Sequence, residues 1–161
     1  MSEKHLFLLR HAKSSWDDPE LADHDRPLAP RGQKASKAMG KYMRTEGVAP
    51  DLILCSSALR AQQTLELIAL GDDDAKVLIE PELYGASASD LLERLRQLPD
   101  ETTSAMLIGH NPAIQDLAHI DGKYPTGALA VFSFDGPWSE LAPGEAELVS
   151  FVTPKTLKQS S

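Results

Sequence analysis

The stretch His5-Leu6-Phe7-Leu8-Leu9-Arg10-His11-Ala12 decides the fold of this chain. Its apolar run is typical of a buried strand, and the pair Arg10-His11 stands directly where the run stops. A second stretch, Ile108-Gly109-His110-Asn111-Pro112, repeats this arrangement near the other end of the chain. Together the two stretches could bring two imidazoles and a guanidinium to one place.

Apolar runs bounded by turn residues predict six strands, at residues 5–9, 51–55, 76–79, 105–108, 129–134 and 147–152. Helical spacing lies between most of these runs, so we expect a three-layer α/β/α sandwich with a mostly parallel sheet. The last two strands are joined by a Pro- and Gly-containing loop instead of a helix, which predicts one antiparallel strand.

Residues that favour helix ends support this alternation. Pro30 and Gly47 suit the start and stop of one helix, and Ser56 or Ser57 can cap a second helix that runs to about Leu70. Further starts are predicted at Ser87 with Asp90, which have capping-box spacing, and at Asn111 with Pro112, for a helix through His119.

Length and charge restrict the function. The 161 residues fit one domain, which we place at residues 1–153, with a flexible tail at 154–161. The net charge of -8 argues against a nucleic-acid partner, and no apolar stretch is long enough for a membrane span. The single cysteine, Cys55, excludes an internal disulfide, and the N-terminus lacks a signal-peptide layout, so a cytoplasmic location is expected.

Three segments deliver polar residues to the carboxyl ends of predicted strands, where open α/β sheets bind ligands. These residues are Arg10 and His11 after the first strand, Arg60 after the second and His110 after the fourth. Arginines grip phosphoryl oxygens with paired N–H donors, a protonated His110 would add another donor, and an unprotonated His11 is a competent nucleophile. This set predicts phosphoryl chemistry without a metal or an organic cofactor.

The motifs resemble those of a known family. Arg10-His11-Ala12, the run Ser56-Ser57-Ala58-Leu59-Arg60-Ala61-Gln62-Gln63-Thr64 and Gly109-His110-Asn111-Pro112 are similar to motifs of the histidine phosphatase superfamily, the phosphoglycerate mutase-like family. Further stretches resemble its SixA-type phosphohistidine phosphatases: Arg26-Pro27-Leu28 with Arg31-Gly32, Pro81-Glu82-Leu83-Tyr84 and Pro125-Thr126-Gly127-Ala128-Leu129-Ala130. The resemblance extends from the first strand to about Val152.

The resemblance implies roles for individual residues. His11 would be the residue that is transiently phosphorylated, and Arg10, Arg60 and His110 would complete the phosphate pocket. Arg26 would also contact phosphate, although pairing with Asp23 or Asp25 is the other interpretation. Glu82 stands in the context of the carboxylic acid with which relatives protonate the leaving group, or it is a surface carboxylate. Ser14 could donate to phosphate or cap a turn.

Two positions depart from the family pattern. Ala12 stands where Gly is commoner, which is tolerated if the backbone φ there is negative. Asp17 stands where mutase-like relatives often carry Asn, and an ionised carboxylate would repel phosphate. His24-Asp25 resembles half of a metal phosphohydrolase motif, but the remaining ligands have no suitable placement, so no metal site is predicted.

The leading interpretation is hydrolysis of phosphohistidine on a protein through phospho-His11, with inorganic phosphate as product. One alternative is a phosphomonoesterase that acts on a small phosphorylated metabolite. Another is a non-catalytic phosphate-binding module. The short connections of the chain favour a shallow pocket that accepts an imidazole from a partner protein. The sequence leaves the physiological substrate and the oligomeric state open.

Overall fold

A six-stranded sheet forms the centre of the molecule. The computed structural model describes residues 3–70 and 75–159. Its strands are β1 Glu3–Arg10, β2 Leu52–Ser56, β3 Lys76–Glu80, β4 Ser104–Gly109, β5 Leu129–Asp135 and β6 Glu147–Val152. Their order is β3-β2-β4-β1-β5-β6, and only β5 runs antiparallel to its neighbours. The predicted mostly parallel sheet with one antiparallel strand is confirmed.

Helices cover both faces of this sheet: α1 Pro30–Thr45, α2 Leu59–Ile68, α3 Ala88–Arg96, α4 Ala113–Ala118 and α5 Pro154–Gln159. Side chains of a strand alternate between the two faces. In β1, Leu6 and Leu8 therefore join one apolar cluster with α3 and α4. Phe7 and Leu9 join the other cluster with α1 and α2. The three-layer α/β/α architecture follows from this division.

The helix starts agree only partly with the predictions. Ser87 and Asp90 form the predicted capping box, in which each side chain accepts a hydrogen bond from the other residue's backbone N–H. At α2, however, the N-cap is Ala58, with no side-chain cap. The hydroxyls of Ser56 and Ser57, predicted as caps, are hydrogen-bonded to histidine rings instead.

The C-terminal segment corrects one prediction. Residues 154–159, expected as part of a flexible tail, form α5, and Leu157 packs against the cluster under α1 and α2. The sequence signal was misleading because six residues with one apolar side chain look like a frayed end. Residues 160–161 lie outside the described residues. Among the helices described, none is long and apolar enough to cross a membrane.

Two glycines hold the segment that follows β1. Gly127 has φ +79, and its N–H donates to the carbonyls of both Arg10 and His11 at 3.1 and 3.0 Å. Gly32, near the start of α1, lies so close to this segment that an added Cβ would stand 2.1 Å from the carbonyl oxygen of Lys13. A side chain at Gly32 would displace the backbone of Lys13, and one at Gly127 would be strained by the positive φ.

We predict that Gly32→Ala destabilises the protein by about 1–3 kcal/mol, because the new methyl group meets backbone atoms that cannot rotate away. Urea unfolding followed by circular dichroism measures the change. Gly85→Ala is the matched control, since no atom lies within 4 Å of its Cβ position. Equal stability of the two variants would contradict the close packing of α1 against this segment.

Candidate active site

The register between β1 and β4 brings the two histidines together. Arg10 pairs with Gly109 in parallel register, so His11 and His110 leave adjacent strand ends side by side. Their ring centroids are 5.0 Å apart. Arg60 reaches the same place from α2, the helix that follows β2. The convergence expected from the sequence is therefore present.

The ring of His11 is fixed by one hydrogen bond. Its Nδ1 lies 2.7 Å from the carbonyl oxygen of Ala12, so Nδ1 carries a proton and donates it. Nε2 then keeps its lone pair. The backbone N–H of Ala12 donates to the Thr64 hydroxyl at 3.0 Å, and that hydroxyl donates to the Arg60 carbonyl at 2.7 Å. The backbone of His11 is thereby tied to the helix that carries Arg60.

Both imidazoles are neutral at physiological pH. Burial lowers the pKa of His11 to about 3, and the nearby His110, Arg60 and Arg10 add to this effect. Burial, followed by the charge of Arg60, lowers the pKa of His110 to about 4. His110 Nε2 lies 2.8 Å from the Ser56 hydroxyl. His110 is therefore neutral here, unlike the protonated His110 considered from the sequence, because burial disfavours the charged ring and Arg60 and Arg10 add to this effect.

Arg10 and Arg60 bring unused hydrogen-bond donors to the site. Arg10 donates through Nη1 to the carbonyl of Tyr124 at 2.9 Å, and Arg60 donates through Nη1 to the carbonyl of Asp23 at 2.7 Å. The Nε atoms of both arginines are buried and have no partner within the described part of the chain. Buried, unpaired N–H donors are costly, and an oxyanion would satisfy them.

The carboxylate of Asp23 links Arg60 to Arg26. It accepts from Arg60 Nη2 at 3.0 Å, from Arg26 Nε at 3.1 Å and from the hydroxyl of Tyr84. These contacts hold the pKa of Asp23 well below its ordinary value, with the Tyr84 hydroxyl as the largest cause. Of the two interpretations of Arg26, the pairing with Asp23 is present in the structure.

Arg26 is held on further sides by its own loop. Its Nη1 donates to the Ser14 hydroxyl at 2.7 Å and to the Ser15 carbonyl at 3.2 Å, and its guanidinium lies over the ring of Trp16 at 3.5 Å. Ser14 and Arg26 therefore form one unit with Asp23. A phosphate contact for either residue stays a prediction.

Glu82 lies apart from the histidines. It is exposed on the 3₁₀ helix Pro81–Leu83, where its charge acts on Arg94, and no hydrogen bond between Glu82 and the two histidines occurs among the described residues. Tyr84, two residues further on, packs its ring against that of His110, with centroids 5.6 Å apart. The donor role of Glu82 stays a prediction.

The sequence placed Ser56 and Ser57 at this edge without predicting their contacts with His110 and His24, and it named Asp23 only as a possible partner of Arg26. It did not predict Tyr84 as a member of the cluster. Tyr84 belonged to a quoted motif, so its presence was signalled, but its direction depends on the 3₁₀ turn. Burial raises the pKa of Cys55 to about 12, which agrees with an inert thiol. Over residues 3–70 and 75–159, no group of three metal-ligating side chains is found.

The chain belongs to the histidine phosphatase superfamily (branch 1), whose profile matches residues 6–102. The fold is phosphoglycerate mutase-like, and members of this family are generally phosphatases or mutases.

Relatives lie on the SixA side of the family. The structure assigned as phosphohistidine phosphatase SixA of Nakamurella multipartitia superimposes with a TM-score of 0.81 at 30% identity, covering 96% of this chain and 98% of that chain. The corresponding SixA structure of Agrobacterium tumefaciens gives 0.79 at 27% identity, covering 94% and 98%. The uncharacterized protein Rv1276c of Mycobacterium tuberculosis is 36% identical over 91% of this chain and 100% of its own length.

The acid limb of the pH profile tests the state of His11. A nucleophilic imidazole must be unprotonated, so activity is lost as pH falls through its pKa. We predict that kcat/KM for an acid-stable aryl phosphate, corrected for substrate ionisation, falls only below about pH 4, not near the ordinary histidine value of about 6.5. Circular dichroism checks that the protein stays folded. A limb near 6.5 in folded protein would contradict the pKa lowered by burial.

Asp23→Asn tests the carboxylate between the arginines. We predict a loss of about 1–2 kcal/mol of stability in phosphate-free buffer, because Arg26 and Arg60 lose a charged partner that is itself half-exposed. Inorganic phosphate should then raise the thermal midpoint more in the variant than in the parent protein. Asp25→Asn, with the same charge change and no contact to an arginine, is the control. The idea fails if the two variants respond equally to phosphate.

Proposed function

We propose that this protein is a phosphohistidine phosphatase, which removes phosphoryl groups from histidines of a partner protein through phospho-His11. The observation that carries the proposal is the state of His11. Its ring is buried, neutral and fixed on the Ala12 carbonyl, beside His110 and in the positive field of Arg10 and Arg60. A nucleophile and a receptor for three phosphoryl oxygens thus occupy one site.

The reaction needs two displacements at phosphorus. First, the lone pair of His11 Nε2 attacks, the bond between phosphorus and the substrate nitrogen breaks, and its electron pair stays on that nitrogen. Second, a water molecule attacks phospho-His11, the bond to Nε2 breaks, and inorganic phosphate leaves. Arg10 and Arg60 stabilise the charge on the equatorial oxygens in both steps. His110, neutral and hydrogen-bonded to Ser56, is placed to orient one of them.

An exposed rim supports a protein substrate. The segment at residues 11–29 and the 3₁₀ turn Pro81–Leu83, which Tyr84 follows, surround the site. Trp16, on the first of these segments, is 74% exposed. An imidazole that projects from a partner protein can contact such a rim. The SixA structures from Nakamurella multipartitia and Agrobacterium tumefaciens, which carry the phosphohistidine phosphatase assignment, support the same class of substrate.

Covalent labelling tests the nucleophile. We expect the protein, incubated with a reactive radiolabelled phosphoryl donor and quenched in alkali, to carry a label that is released by acid, as a phosphoramidate is. His11→Ala should reduce this label to background and reduce turnover by about 10³-fold or more. His5→Ala, which changes a half-exposed histidine paired with Glu3, is the matched control.

A panel of substrates tests the bond that is cleaved. We expect a higher kcat/KM for a phosphohistidine peptide than for sugar phosphates and nucleotides. A large preference for esters would make the protein a phosphomonoesterase. Absence of both label and turnover in the parent protein would leave a phosphate-binding module. A label that survives in His11→Ala would place the nucleophile elsewhere.

A further inference from the structure

A second histidine–serine pair lies beside the candidate active site. His24 Nε2 is 2.8 Å from the hydroxyl of Ser57, and its Nδ1 is 3.7 Å from a carboxylate oxygen of Asp25. The His24 side chain is 42% exposed, so it can exchange protons with water. Asp25 stabilises a positive charge on the ring, and in that state Nε2 donates to Ser57.

Ring contacts join this pair to the nucleophile. His24 packs edge-on against Tyr84 with ring centroids 4.8 Å apart, Tyr84 packs against His110 at 5.6 Å, and His110 lies 5.0 Å from His11. The charge of His24 also contributes to the lowered pKa of His110. Ser57 directly follows Ser56, whose hydroxyl contacts His110. His24 is therefore the half-exposed end of a series of contacts that leads to His11.

We propose that His24 and Ser57 form a proton relay that supplies the leaving imidazole during dephosphorylation of phosphohistidine. This inference rests on the function proposed above and adds the residues that handle the leaving group. As the P–N bond breaks, the Ser57 hydroxyl gives its proton to the second ring nitrogen of the substrate. The His24 Nε2 proton passes to Ser57, which leaves His24 neutral and the departing imidazole neutral.

The second displacement restores the relay. Water attacks phospho-His11 and loses a proton through Ser57 to His24, which becomes an imidazolium again. The electron pair of the breaking bond returns to His11 Nε2, and phosphate leaves. Atoms and charge balance over the two steps, because each proton that His24 gives to the imidazole is replaced by one from water.

Other acidic groups of the cluster are less suited to this transfer. Asp23 is held ionised by Tyr84, Arg60 and Arg26, so it has no proton to give at neutral pH. The Tyr84 hydroxyl proton is engaged by the same carboxylate, which raises the pKa of Tyr84. Glu82 is exposed and acts on Arg94. His24 is the histidine whose ring reaches both solvent and a hydroxyl next to the site.

The relay is needed for one kind of leaving group and not for another. In a phosphorylated imidazole, phosphorus is bound to one ring nitrogen. When the P–N bond breaks, the other ring nitrogen must take up a proton if the imidazole is to leave as a neutral molecule. Phosphoramidate leaves as ammonia and already carries the needed proton on its nitrogen. Loss of His24 should therefore slow the first substrate far more than the second, whereas a merely structural role would slow both alike.

The experiment compares phosphoimidazole with phosphoramidate for the parent protein, His24→Gln and Ser57→Ala. We expect His24→Gln to lower kcat/KM for phosphoimidazole by about 10²-fold, the size of a general-acid effect, and for phosphoramidate by less than about threefold. Ser57→Ala should show the same selectivity. In the double variant the losses should not multiply, because both residues serve one proton path.

His5→Gln is the matched control and should change neither substrate, since His5 pairs with Glu3 at the opposite end of β1. Equal losses on both substrates, or no loss in His24→Gln, would overturn the relay while leaving phospho-His11 intact. Selective loss in Glu82→Gln instead would assign the donor to Glu82. If the parent protein hydrolyses neither substrate, the proposed function itself fails.

Discussion

The parallel pairing of β1 with β4 is the constraint on which the site depends. Arg10 opposite Gly109 in register means that the chain turns away from the sheet at the same level on two neighbouring strands. The pairing of the two strands is therefore sufficient to place His11 and His110 side by side. A shift by one residue would send one ring to the opposite face of the sheet. The apolar alternation of β1, with Leu6 and Leu8 on one face and Phe7 and Leu9 on the other, prevents that shift.

Burial at this edge of the sheet lowers the pKa values of the two histidines in addition to stabilising the fold. Two imidazoles with lowered pKa values keep their lone pairs, while the guanidinium groups of Arg10 and Arg60 keep their charge. An unprotonated nucleophile and protonated groups that bind an anion are thus present together at one pH. The Asp23 carboxylate accepts hydrogen bonds from Arg60 and Arg26. It offsets part of the electrostatic cost of bringing cations together before any phosphate arrives.

Sequence patterns predicted the strands and their polar ends well, because both depend on local periodicity. They predicted His11, Arg10, Arg60 and His110 as neighbours since parallel strand ends meet at one edge. They failed where the partner of a side chain is decided by tertiary contacts. Serine is a residue type that favours helix N-caps, yet the hydroxyls of Ser56 and Ser57 are hydrogen-bonded to two histidines from distant segments. Glu82 and Tyr84 are two residues apart, and only the geometry of a 3₁₀ turn determines that Tyr84 contacts His110.

The consecutive serines at the end of β2 explain how one strand end can serve two halves of a reaction. Successive residues leaving a strand point in different directions. Ser56 is fully buried and contacts His110, next to the nucleophile, whereas Ser57 is half-buried and contacts His24, next to solvent. The phosphoryl group therefore meets the dry side of β2, and the departing imidazole meets the wet side. A proton donor must exchange with solvent between turnovers, and a nucleophile must be shielded from it. Ser56 and Ser57, one peptide unit apart, contact the histidine next to the nucleophile and the histidine next to solvent, so one strand end serves both demands.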